Sequence, residues 1–299
     1  PEATFYWLTL TPEILPASQV EVLLKPDIGG LMTLLATEFD LALNFDKDRE
    51  ACAFMNLISA KAKKGFHLHN GKPSPIDQDA QHKFMTGIFD DLSKRNPKHY
   101  VAEVFEIAGV GDFLDEPYLL ENTEKGKHLW QLDNSKPVIG LNTGCGGRWP
   151  SRLWPENHWE DLASSLLERN YEVLLLGGES EDAKNCRLAN ASGAKYFGYF
   201  TLPVFIDLVD ACDAVITQVT MALHIAIGLK KKVVLMNNIF NSKEFYLYGL
   251  GKIVEPISGC DCFYSPHCRR ELAGGIHCMK DITVKRIIDA ITNLFNDLN

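Results

Sequence analysis

Apolar residues along this chain fall into short runs that alternate with stretches of helical spacing. Phe5–Leu10 and Val20–Leu24 read as strands, residues 28–38 as a helix, and Phe39–Asp46 as an apolar strand with a polar end. Helical spacing over Cys52–Ala60 leads into a further strand that starts at Lys63–Phe66. His67–Gln81 carries Asn70-Gly71 and two prolines, which predicts a surface connection. Residues 98–109 predict a helix, and the polar stretch Asp112–Ser135 predicts a domain boundary, giving an N-terminal domain 1–134 and a C-terminal domain 135–299.

The second half is more regular. Strands are expected at Pro137–Asn142, Tyr171–Leu176, Ala194–Phe197, Ala214–Thr217 and Lys232–Met236. Helices are expected at Glu156–Asn170, Pro203–Ala211, Met221–Leu229 and Thr283–Leu298, the last with Ile287, Ile288, Ile291 and Leu294 on one stripe. Short apolar strands alternating with helices are the βαβ pattern of an α/β fold with a mostly parallel sheet. A chain of 299 residues is long enough for two such domains.

Charge narrows the range of partners. Thirty Lys and Arg against 39 Asp and Glu leave a net charge of -9, which argues against bulk nucleic-acid binding yet permits a local basic pocket. No apolar run approaches the roughly 18 residues of a spanning helix. The opening residues from Pro1 lack the basic segment and cleavage site of a signal peptide, so a cytoplasmic protein is expected.

Four segments carry candidate chemistry. The first, Gly140–Pro155, sets clustered glycines directly after a strand and adds Arg148 and Arg152. Backbone N–H groups together with guanidinium groups make a diphosphate site, whereas a glycine-rich bend with two solvent-facing arginines is the bland alternative. A Walker-type lysine loop is absent. The second, Leu176–Glu179, brings Gly177 and Gly178 to a strand-to-helix turn, where a tight turn explains them equally well. In the third, Thr220 stands where it can cap the helix that follows, and His224 lies one turn on along the same side. All three turns sit at the carboxyl ends of strands, where open α/β sheets bind ligands.

The fourth segment gathers Cys260, Cys262, Cys268 and Cys278 out of eight cysteines in all. Four thiolates in a polar loop can hold a structural Zn or Fe ion, with His267 and His277 as substitutes; free thiols or disulfides are the alternative. Cys52, Cys145, Cys186 and Cys212 are dispersed and read as free thiols.

Taken in order, these segments resemble glycosyltransferase family 9, the lipopolysaccharide heptosyltransferase-type family, along essentially the whole chain. The resemblance is carried by Phe39–Asp46, Ala62–Phe66, Asn70–Pro73, Gly140–Gly144, Arg148–Trp154, Leu176–Gly178, Ala222–Ala226, Tyr248-Gly249 and the cysteine segment through Met279. It implies a GT-B architecture of two Rossmann-like domains facing a cleft. It also implies transfer of a heptose from an ADP-linked donor to a glycolipid acceptor at the inner membrane face, without an organic cofactor. Thr143, Gly144 and Arg152 match the diphosphate-side loop, Arg152 standing in for a family lysine, and Thr220 and His224 match the helix-start donor motif. Asn237 and Asn238 replace a Phe-Gly-Pro-Thr stretch and are expected to hydrogen-bond the donor.

Two departures matter. Val219-Thr220-Met221 lacks the acidic residue the family carries before this helix. The family's leading strand and its aspartate-bearing loop have no counterpart ahead of Pro1, so the first domain is expected to lack its leading βα unit. Asp46 reads as a polar strand end, and no catalytic base is assigned. These departures favour an alternative, a catalytically impaired nucleotide-sugar-binding or scaffold protein.

Overall fold

Parallel strands cannot be joined by a tight turn, so each successive strand requires a crossover, and the helices supply it. The computed structural model describes residues 3–16 and 18–296 and divides into two compact units. The first runs to Pro117 and includes Lys243–Tyr246; the second comprises Tyr118–Ser242 and the chain from Leu247.

In the first unit β1 (Tyr6–Leu8) pairs in parallel with β2 (Val22–Leu24). Helix α1 (Ile28–Leu35) follows, its N-terminus capped by the Asp27 carboxylate, which accepts from Gly30 N at 2.9 Å. Strand β3 (Glu38–Asn44) then pairs in parallel with β4 (Ser59–His69) across α2 (Arg49–Leu57). Helix α2 stops short of the expected Ala60 because Ile58 turns to extended backbone and β4 begins at once.

The expected connection at His67–Gln81 instead opens as a β-hairpin. β4 continues to His69 and folds back as β5 (Lys72–Pro75), antiparallel to it. Asn70 and Gly71 form the two-residue turn with φ of 49° and 75°, the left-handed pair such a hairpin requires. Pro73 and Pro75 are tolerated because β5 is an edge strand. Three short helices, α3 (Gln81–Thr86), α4 (Asp90–Arg95) and α5 (Tyr100–Ala108), complete this unit around Cys52, Phe66, Ala80 and Ile107.

The second unit holds an all-parallel sheet of β6 (Val138–Asn142), β7 (Glu172–Leu176), β8 (Ala214–Gln218), β9 (Lys232–Met236) and β10 (Gly251–Val254). Its order is β10-β9-β8-β6-β7. Strands β6, β7 and β8 are buried along their whole length, because α6 (Glu156–Glu168), α7 (Asp182–Ser192), α8 (Leu202–Asp210), α9 (Met221–Gly228) and α11 (Val284–Asn296) supply the crossovers and cover. A four-residue helix, α10 (Arg269–Leu272), lies in the cysteine segment. The expected strand at Ala194–Phe197 reduces to a single bridge between Leu174 and Lys195. Strand order reverses between β6 and β8, and at the sheet's carboxyl edge such a reversal is where open α/β sheets bind ligands.

The second unit begins at Tyr118, ahead of the expected boundary at residue 134, for a physical reason. Buried Asp207 on α8 accepts from Asn122 Nδ2 at 2.9 Å and from Trp130 Nε1 at 2.9 Å. The Trp130 ring also packs on Phe197 and Phe200 at centroid separations of 5.5 and 5.4 Å. Asp207→Ala leaves both donors without this acceptor. Chemical denaturation should show the second unit destabilised by roughly 1–3 kcal/mol, with faster proteolysis between Tyr118 and Ser135.

Candidate functional site

The site is built where the turns after β6 and β8 meet. Asn142, the last residue of β6, directs its amide nitrogen to Gly144 O at 3.2 Å, Thr217 Oγ1 at 3.0 Å and Thr220 Oγ1 at 3.2 Å. Gln218, with its amide oriented so that nitrogen donates, reaches Gly144 O at 2.9 Å and Asn142 O at 3.3 Å. Neutral hydrogen bonds thus stitch one turn to the other across the strand reversal.

Several residues picked from the sequence prove to be part of this stitching. Thr143 is fully buried, and its hydroxyl donates to Asn185 Oδ1 at 2.6 Å. Close packing requires glycine at Gly177, where a Cβ would lie 2.7 Å from Glu181 Cβ; at Gly144 a Cβ would meet the flexible Glu181 carboxyl end at 2.4 Å. Gly178 N donates to Glu181 Oε2 at 3.0 Å. Thr220 occupies the position before α9 in extended conformation, yet its side chain makes no capping bond. The expected cap is therefore absent, because the hydroxyl is drawn 3.1 Å from Thr217 Oγ1 and toward Asn142. His224 is exposed rather than packed, with Nδ1 3.4 Å from Tyr118 Oη and the two rings stacked.

Asn237 and Asn238 are buried and engaged within the protein. Asn237 Nδ2 donates to Phe240 O and Glu255 Oε1, both at 2.9 Å, while its Oδ1 has no hydrogen-bond partner among the described residues. Asn238 Nδ2 donates to Ser151 O at 2.8 Å and contacts Cys278 Sγ at 3.4 Å. Their side-chain nitrogens hold loops together.

The cations are arranged differently from one another. Arg152 is 6% exposed; Nη1 donates to Val219 O, Nη2 to Cys145 O and Nε to Trp149 O. Its guanidinium lies within cation–π distance of the adjoining Trp149 and Phe240 rings. Burial lowers its pKa below the usual guanidinium value. Arg148 is exposed and lies over the Trp149 ring. Lys184, in the first turn of α7, is half-buried with Nζ donating to Thr143 O at 2.8 Å, and burial lowers its pKa against the opposing pull of Glu181. Among the described residues, no carboxylate oxygen lies within 4.0 Å of Arg152 or Lys184. Lys184 escaped the sequence reading because it stands in a polar helix start outside any glycine motif.

The cysteine segment folds its thiols together. Cys260, Cys262 and Cys278 bring their sulfurs within 4.8 Å of one another, as do Cys268 and Cys278 with a ring nitrogen of His277. Cys260 and Cys278 are 3.6 Å apart, close to the sulfur separation of a tetrahedral thiolate site. Each sulfur also faces an N–H: Cys262 N to Cys260 at 3.4 Å, Arg269 N to Cys262 at 3.1 Å, Cys278 N to Cys268 at 3.4 Å, and Asn238 Nδ2 to Cys278. The Cys260 contact, assisted by Asn238, pulls the Cys278 thiol down to about 5 and pushes Cys260 up. Such donors stabilise thiolates, so the cluster is able to coordinate a metal ion. His267 is exposed and joins neither group.

The family model for glycosyltransferase family 9 (heptosyltransferase) matches residues 32–237. Lipopolysaccharide heptosyltransferase 2 of Salmonella typhimurium is 25% identical over 219 residues, 67% of this chain. That match spans 61% of the Salmonella protein, less than two thirds of its length. The solved E. coli ADP-heptose lps heptosyltransferase II superposes with a TM-score of 0.63 at 18% identity, covering 93% of this chain and 84% of that one. E. coli heptosyltransferase WaaC with ADP gives 0.67 at 11% identity, covering 98% and 91%. These structural likenesses establish the GT-B class of α/β fold. No helix among the described residues is long and apolar enough to cross a membrane.

Arg152→Met removes the donors to two carbonyls at the strand reversal. Denaturation should show a loss of roughly 1–3 kcal/mol, whereas Arg148→Ala, on the exposed side of Trp149, should stay within about 0.5 kcal/mol of the parent protein.

Proposed function

The chain belongs to glycosyltransferase family 9, and from that premise we propose that it transfers a heptose from an ADP-linked donor to a glycolipid or related surface glycan. The carrying observation is the pair of cations at the strand reversal, buried Arg152 and half-buried Lys184, without carboxylate partners at ion-pair distance among the described residues. Desolvated cations are costly unless charge and hydrogen bonds compensate them, and a diphosphate brings both. Gly146 and Gly147 border open space, where a Cβ would meet nothing within 4 Å, so the backbone there is approachable. On this reading Arg148 and the glycine loop face the diphosphate, and exposed His224 with Thr220 lies along the donor. Thr143, Gly177, Gly178, Asn237 and Asn238 hold the surrounding turns. The acceptor reading places the protein at the cytoplasmic side of the inner membrane.

The missing acidic residue at Val219-Thr220-Met221 favours a second reading, a protein that binds nucleotide sugar without turnover. Calorimetry with ADP, ADP-heptose, GDP and UDP separates these readings when combined with a transfer assay on heptose-deficient lipopolysaccharide. Binding of ADP-heptose with transfer supports the transferase, and binding alone supports the second reading. Absence of binding to every nucleotide removes both.

The thiol cluster fits a structural metal held by Cys260, Cys262, Cys268 and Cys278, with His277 at its edge. A thiolate-held Zn or Fe ion cross-links the loop and takes no part in sugar transfer. Elemental analysis should find one Zn or Fe per chain. Cys262→Ser should lower that content and destabilise the second unit, and a chelator should reproduce the loss in the parent protein.

A further inference from the structure

We propose that Lys184 is a donor-positioning residue whose ammonium binds the diphosphate of the nucleotide sugar, an inference that rests on the donor reading above. Lys184 stands at the start of α7, and its Nζ meets the carbonyl of Thr143, in the turn that leaves β6. That carbonyl takes one of three ammonium hydrogens, and no other hydrogen-bond or ion-pair partner is present among the described residues. The nearby acid, Glu181, does not supply an ion pair: its carboxylate oxygens are held by Gly178 N at 3.0 Å and Ser180 Oγ at 2.9 Å. Packed against Gly144, that carboxylate borders the Thr143 turn that holds the ammonium.

Arg152 and Lys184 approach the same turn in different ways. Arg152 spends three N–H groups on carbonyls and lies beside the adjoining Trp149 and Phe240 rings, so it is a fixed part of the scaffold. Lys184 is held by one hydrogen bond on a four-carbon stem, and its compact charge can re-aim toward an arriving anion. Burial already disfavours its charged form, so an anion at this position recovers that cost. The fixed cation shapes the turn and the adjustable one meets the ligand.

Calorimetry of ADP and adenosine on the full chain tests the assignment with Lys184→Met, Lys184→Gln and Lys184→Arg. The expected result is ADP affinity reduced roughly 10- to 100-fold in the Met and Gln variants, the size of a lost charge-assisted hydrogen bond. Adenosine affinity should be unchanged, Lys184→Arg should recover much of the loss, and thermal midpoints without ligand should stay at or above that of the parent. If the parent binds ADP and both neutral variants bind it equally well, Lys184 has no part in diphosphate binding and the donor reading survives. Parallel losses for ADP and adenosine, or a lowered midpoint in both variants, assign Lys184 to the scaffold and overturn the inference. Failure of the parent to bind ADP removes the ADP-donor reading and this inference together.

Discussion

A guanidinium taken out of water must find acceptors, and in the second unit that requirement is met across the strand reversal. Arg152 joins the carbonyl of Cys145, in the turn after β6, to that of Val219, in the turn after β8. Neutral bonds from Asn142 and Gln218 close the same gap from beneath. Two turns on either side of the strand reversal are thereby held together. A buried cation met by carbonyl dipoles and ring faces, with no carboxylate partner at ion-pair distance among the described residues, leaves positive potential at the strand reversal.

The cysteine loop supports this arrangement from the other side. Ser151, next to Arg152, gives its hydroxyl hydrogen to Ser265 O at 2.5 Å and its carbonyl to Asn238. The same Asn238 amide faces Cys278 Sγ. Trp149, Phe240 and Tyr264 pack mutually between the glycine loop and the cysteine loop. Cys262, Cys268 and Cys278 belong to the hydrophobic core that also contains Trp154, Trp159 and Ile282. Glycine turn and thiol cluster, separated by more than a hundred residues, form one packed body.

Much of the fold was legible because parallel strands buried on both faces are near-continuous apolar runs. Val138–Asn142, Glu172–Leu176 and Lys232–Met236 lie almost where their composition places them. The β4–β5 hairpin was legible in principle through Asn70-Gly71, but the prolines after it suggested a loop, and only an edge position reconciles them with a strand. Three short helices at 81–108 carried too few turns to stand out, apart from the one ending near Gly109.

The candidate site was legible by location more than by role. The glycine turns, the cations and the thiols follow from composition and spacing, because small residues after a strand and clustered cysteines announce themselves locally. Whether a polar group faces a ligand or a neighbouring loop depends on partners far away in sequence. Thr143 is claimed by Asn185, Thr220 by Asn142, and Asn238 by Ser151, while Lys184 meets the turn from a helix no motif marks. The sequence by itself determined the α/β class, the family and where glycines, cations and cysteines cluster. Only the tertiary structure decided which side chains are committed to the scaffold, because a buried polar group must pair with whatever the fold brings within hydrogen-bonding distance.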